Sequence, residues 1–156
     1  MTYEVILRQE AARPTAVVVA ATTTWQAWPT LWSQLSGEVW ACLRAGGITR
    51  GCPNVMVYRD AGPGSVAVEV GVELRQPCPL TGRVVASTLP EGPVAMTVHR
   101  GPYAELGAAH DAVVQWCERE GRRRTGTRWE IYGPHRDDPA ELATEVYWSL
   151  AGGYSG

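Results

Sequence analysis

The chain contains no lysine and no phenylalanine among its 156 residues. Without lysine, no Schiff base can form on an amine side chain, which removes that route to covalent catalysis. Without phenylalanine, the aromatic content falls to seven Trp and six Tyr. These side chains combine an apolar body with a polar tip and suit half-wet surfaces. Long hydrophobic runs are also missing. The longest, residues 16–21, falls far short of the ~20 residues that a membrane span requires, so no membrane role is expected. The first residues, Met-Thr-Tyr-Glu, carry neither the basic stretch nor the apolar run of an export signal, and a cytoplasmic location is expected.

An excess of one charge is lacking as well. Fourteen basic residues stand against sixteen acidic ones, for a net charge of −2. Arg122-Arg123-Arg124 is the sole basic run, which leaves no broad basic face for direct nucleic-acid binding. Cys42, Cys52, Cys78 and Cys117 show no C-x-x-C spacing and no histidine at zinc-ligand distance. Reduced thiols, no metal and no cofactor are the expectation.

What remains is enough for a core: 45% hydrophobic and 19% charged residues over the length of one ordinary domain. An internal repeat organises it. Residues 66–74 align without gaps onto residues 142–150, with Ala67, Glu69, Val70 and Leu74 answering Ala143, Glu145, Val146 and Leu150. Val57-Tyr58 answers Ile131-Tyr132, and Pro14 with Ala16 answers Pro93 with Ala95. Similar offsets at three landmarks argue for a duplicated unit. A single domain over 1–150 is expected, with repeat 1 about 1–74, a linker at 75–81, repeat 2 about 82–150, and a tail at 151–156.

Each unit reads as strand, strand, helix, strand, strand. In the first, residues 3–8 and 15–21 are expected strands. Pro29 opens a helix that Gly46-Gly47 closes, and residues 54–59 and 65–74 follow as strands. In the second, residues 83–89 and 93–100 flank Pro90-Glu91-Gly92-Pro93 and are expected to form a hairpin. Pro102 opens a helix that Gly121 closes, and strands follow at 128–132 and 144–150. The helices carry apolar stripes, Leu31–Leu35–Val39–Cys42 and Leu106–Ala109–Val113–Trp116–Cys117, fit to lie on a sheet. The predicted fold is α+β: tandem units forming an antiparallel sheet, two helices on one face and a ligand groove on the other.

The last two strands carry the chemistry. Side chains alternate along a strand, so Glu130 and Tyr132 share a face, as do Glu145 and Tyr147. Taking Trp129, Ile131, Val146 and Trp148 as the helix-facing set leaves Glu130, Tyr132, Glu145 and Tyr147 together on the free face. Their counterparts in the first repeat are Met56, Tyr58, Glu69 and Gly71. Such a face needs no ligand, since outward polar residues are ordinary on antiparallel sheets. Yet carboxylates grouped without a neighbouring Arg invite an external cation, and tyrosine rings offer cations a negative face. Trp40 falls off the first helix's apolar stripe, and with Trp32 it is a candidate to line a groove. Tyr103 is placed to cap one end. His99, His110 and His135 stand in no nucleophile motif and are expected to be structural or solvated.

The segment from Pro93 through His99-Arg100-Gly101-Pro102-Tyr103, then Trp129-Glu130-Ile131-Tyr132 and Thr144-Glu145-Val146-Tyr147, resembles the GyrI-like effector-binding domains of AraC- and MerR-type multidrug regulators. The first half, Leu43-Arg44-Ala45-Gly46 followed by residues 54–60, is similar to them too. The resemblance implies a tandem duplication with a central groove for lipophilic, often cationic, aromatic molecules. It implies an acid on a late strand, matched best by Glu145, with Glu130 as a second. It also implies aromatic pocket positions at Tyr132, Tyr147 and Tyr103. No DNA-binding helix-turn-helix is present in these residues, so the likeness is to stand-alone members. Those include hydrolases that open strained cyclopropane rings, an alternative in which Glu145 acts as base and Glu130 or a Tyr hydroxyl as acid. A gyrase-inhibitor-type interaction ranks last.

Overall fold

The structure is a computed structural model that describes residues 2–20, 28–63 and 65–152. Chain order is β1 (Ile6–Glu10), β2 (Arg13–Ala20), α1 (Trp28–Ala45), β3 (Asn54–Asp60), β4 (Val66–Glu73), β5 (Val85–Leu89), β6 (Gly92–Arg100), α2 (Leu106–Arg119), β7 (Arg124–Tyr132) and β8 (Ala143–Leu150). All described strand pairs are antiparallel, and the fold is α+β as the sequence predicts. The predicted end of the second strand at residue 21, Trp25 and residues 153–156 of the tail lie outside the described residues.

Two compact units divide the chain. The continuous unit, residues 13–89, carries strands in the order β3-β4-β2-β5 with α1 against β4 and β2. The split unit, residues 1–12 and 90–156, carries β1-β6-β8-β7 with α2 against β6 and β8. The hairpin expected around Pro90 does not form. β5 pairs with β2, while β6 pairs with β1 and β8. The turn signal is real, with Gly92 at φ +124°. A turn signal reports that the chain changes direction, however, and does not report which strands then pair.

The helices end as their glycines dictate. After α1, Ile48 N–H donates to the Leu43 carbonyl at 2.9 Å and Gly47 N–H to that of Arg44 at 3.0 Å. Gly47 stands at φ +89°, and the flanking Leu43 and Ile48 are buried, which completes a Schellman motif. α2 ends the same way, with Arg122 N–H on the Cys117 carbonyl and Gly121 at φ +66°. The predicted stripes are the buried ones. Leu35, Val39 and Cys42 of α1 are buried. Leu106, Ala109, Val113 and Cys117 of α2 cluster with Ala95, Val146 and Leu150 of the sheet. β7 starts four residues before its predicted start, because an irregularity between Arg124 and Arg128, with Gly126 at φ +97°, bends the strand without ending it.

Candidate functional site

Register decides which side chains meet. In the split unit, Trp129 stands opposite Tyr147, Glu130 opposite Val146, and Ile131 opposite Glu145. Directly opposed residues project to one face. Val146 belongs to the α2 cluster, with Tyr132 and Trp148 packed against it. Glu130 and Tyr132 therefore face α2, whereas Trp129, Ile131, Glu145 and Tyr147 lie on the opposite, open face, which is buried at Trp129, Ile131 and Tyr147 and exposed at Ile6 and Val98. The expected grouping of Glu130 and Tyr132 with Glu145 and Tyr147 is corrected by this pairing. Alternation within each strand holds. The phase between the strands differs from the expected one, with Glu130 buried on the helix side and Trp129 on the other.

Burial of Glu130 is tolerated because its oxygens are satisfied. Tyr132 donates its hydroxyl to Glu130 Oε1, and His110 Nε2 lies 2.7 Å from Oε2. Trp148 Nε1 donates to His110 Nδ1 at 3.0 Å. An indole N–H can only donate. Nδ1 is thus the acceptor, and Nε2 carries the proton that bonds Glu130. Tyr103 meets Tyr132 edge to face at 5.5 Å. Arg128 and Arg124 lie over the Trp148 ring at 5.3 and 5.7 Å from its centroid. This network joins α2 to its sheet. His99 is structural in a similar way. It is buried, Tyr3 bonds its Nδ1 at 2.8 Å, and its Nε2 bonds the Pro102 carbonyl at 3.0 Å.

The open face is aromatic and acidic. Trp129 and Tyr147 stack at 5.4 Å with their planes 10° apart. They are 2% and 1% exposed. Tyr147 donates its hydroxyl to Glu145 Oε1 at 2.6 Å. Burial, then the bond to Glu145 and the charges of Glu145 and Glu10, push the Tyr147 hydroxyl well above the ordinary tyrosine value, with Arg8 opposing. Glu145 itself is half-buried. Among the described residues, no Arg or His pairs with it. Across the strands, Met96 faces Tyr147 and Val98 faces Glu145. On β1, Ile6, Arg8 and Glu10 face Met96, Val94 and Gly92. Sequence reading missed Trp129, Met96, Arg8 and Glu10 here. The alternation of Arg8, Glu10 and Met96 on β1 and β6 is visible in the sequence, but the pairing of β1 with β6 is not.

The continuous unit repeats the register with other contents. Val57 stands opposite Glu69 and Val55 opposite Gly71. Glu69 is held by Arg59 at 2.8 Å and by Ser87 at 2.8 Å. Met56 and Tyr58 alternate onto the other face, with Asn54. Trp40 of α1 donates its indole N–H to Asn54 at 2.8 Å, and Tyr58 donates to Met56 Sδ at 3.7 Å. Trp40 thus joins α1 to the sheet, on the face that Met56 and Tyr58 share with Asn54. Trp32 is half-buried on the same helix. No group of three or more His, Cys, Asp or Glu suited to a metal occurs among the described residues. No helix there is long and apolar enough to cross a membrane.

Residues 4–151 match the family model described as the GyrI-like small molecule binding domain, and the chain belongs to this GyrI-like family. No curated protein matches the sequence. Solved structures share the fold at low identity. The EcmrR C-terminal domain has 20% identity and a TM-score of 0.74, over 98% of this chain and 100% of that one. SAV2435 bound to tetraphenylphosphonium has 13% identity and a TM-score of 0.71, over 97% and 95%. A hydrolase from Listeria innocua has 14% identity and a TM-score of 0.60, over 95% and 92%.

Proposed function

We propose that the protein binds lipophilic, charge-delocalised cations on the open face of the split unit. Trp129 and Tyr147 are the aromatic shelf, and Glu145 is the counter-charge. The carrying observation is Glu145: a half-buried carboxylate whose described polar partner is a neutral hydroxyl, at 2.6 Å. A carboxylate withdrawn from water favours a cation that restores the lost solvation. The stacked rings favour one that is flat or aromatic. That a protein of this fold holds tetraphenylphosphonium supports the ligand class. Tyr103, Glu130 and Tyr132 contribute by stiffening the α2 side of the sheet. For the hydrolytic alternative, Glu145 and Glu130 project to opposite faces, which leaves the Tyr147 hydroxyl as the acid beside Glu145.

Tetraphenylphosphonium and tetraphenylborate share a shape and differ in charge. Titrating each against tryptophan fluorescence separates charge from hydrophobicity. The cation is expected to bind more tightly than the anion. Glu145→Gln is expected to weaken the cation by about tenfold to a hundredfold, the size of a charged interaction, and to spare the anion. Equal binding of both ions, or equal loss of both in Glu145→Gln, would overturn the reading.

A further inference from the structure

The open face already has a cation lying along its edge. Arg8 Nη1 reaches Met96 Sδ at 3.8 Å, and Nη2 lies 3.2 Å from Glu10 Oε1. Met96 is the residue opposite Tyr147. The guanidinium is thus spread over apolar surface adjoining the aromatic shelf, as its weak hydration and flat shape permit. It comes from β1, the edge strand of the split unit, and 44% of its side chain is exposed. The continuous unit is built otherwise, with Arg59 bonded directly to the acid Glu69 and bridged to the Thr88 carbonyl at 2.8 Å. Arg59 neutralises its glutamate. Arg8 bonds Glu10 and leaves Glu145 uncompensated.

We infer that Arg8 is a specificity-determining residue, a tethered competitor that a ligand must move off Met96 before it can settle beside Glu145. The inference rests on the reading of that face as a cation site. A bound cation is repelled by Arg8 and needs the apolar surface that Arg8 covers. A large delocalised cation recovers the cost through the apolar area it buries on Ile6 and Val98, the exposed apolar side chains of this face. A compact, strongly hydrated cation recovers little. Arg8 therefore filters by lipophilicity among cations and supplies attraction to the wrong sign of charge.

The test uses the same two probes with Arg8→Gln, Arg8→Met and Arg8→Lys, beside Glu145→Gln. Arg8→Gln and Arg8→Met are expected to tighten tetraphenylphosphonium about three- to tenfold, the scale of a partly exposed charge. Both are expected to weaken tetraphenylborate by a similar factor. Arg8→Lys keeps the charge and is expected to stay near the parent protein. Using two neutral replacements guards against a variant that folds poorly, and melting temperatures check each. If removing Arg8 leaves both affinities unchanged, or tightens both ions alike, the competitor role is overturned while a Glu145-dependent preference for the cation still stands. If the parent protein shows no such preference, the cation site itself falls, and the role of Arg8 with it.

Discussion

In the continuous unit, Glu69 stands opposite Val57 and is held by Arg59 and Ser87. In the split unit, Glu145 stands opposite Ile131 and is held by Tyr147. One register step away, the continuous unit has Val55 opposite Gly71, where the split unit has Trp129 opposite Tyr147. The same backbone pattern thus supports a closed ion pair on one sheet and an aromatic shelf with an unpaired acid on the other. A buried carboxylate with its own Arg contributes structure and has no further use for a cation. A half-buried carboxylate beside stacked rings is left with a preference to satisfy. Two sheets with one register differ here by a few side chains.

The shelf is where the largest effect is expected. Trp129→Ala removes the biggest buried side chain on the open face and leaves Tyr147 unstacked. The loss should be about 3–5 kcal/mol of stability, the usual cost of deleting a buried Trp. Urea unfolding should show it as a lower midpoint, with phosphonium binding lost even where the domain stays folded. Gly71 gives the converse. A Cβ there would sit 1.9 Å from the Ala16 carbonyl oxygen, so the continuous unit has no room for a side chain at the place of Tyr147. Gly71→Ala should cost about 1–3 kcal/mol or more through forced backbone movement. A variant as stable as the parent would show that β2 yields, and that the difference between the units is sequence history rather than space.

The ion pair offers a smaller and more informative change. Arg59→Leu strips Glu69 of its cation and leaves Ser87. Because Arg59 is partly exposed, about 1–2 kcal/mol is expected, less than for a fully buried pair. If an unpaired acid is what attracts lipophilic cations, this variant should acquire weak phosphonium binding that Glu145→Gln does not remove. If it acquires none, the aromatic shelf is as necessary as the charge.

Much of the frame was legible in the chain. Gly46-Gly47 and Gly121 marked both helix ends because only glycine enters the left-handed turn cheaply. Leu106, Ala109, Val113 and Cys117 marked the buried stripe because helical spacing brings them to one side. Glu145 was legible as an acid in a repeated strand pattern. The phase between β7 and β8 was not. Burial of Glu130 depends on His110, twenty residues away on α2, and local alternation carries no trace of that bond. The partners of β1 and β5 were hidden for the same reason, since pairing over long sequence separations is a property of the assembled sheet. Arg8 and Glu10 therefore looked like an ordinary polar edge until β1 was seen against β6.

The mildest change tests how Glu145 is held. Tyr147→Phe keeps the ring stacked on Trp129 and removes one hydrogen bond, for about 1 kcal/mol at neutral pH. Its stronger signature lies in alkali. The Tyr147 hydroxyl titrates above the ordinary value of 10.0, so folding favours its protonated form. That contribution is fully present below the unfolded-state value and is lost as pH rises from there toward the folded-state value. The parent protein should therefore lose stability progressively above about pH 10, and Tyr147→Phe should lose less over the same span. The two unfolding free energies should converge as pH rises. Parallel pH curves would mean that the phenol is solvated and that Glu145 is not held by it. The contrast between a glutamate fixed by an arginine and one held by a tyrosine would then fail at the split unit, not at the continuous one.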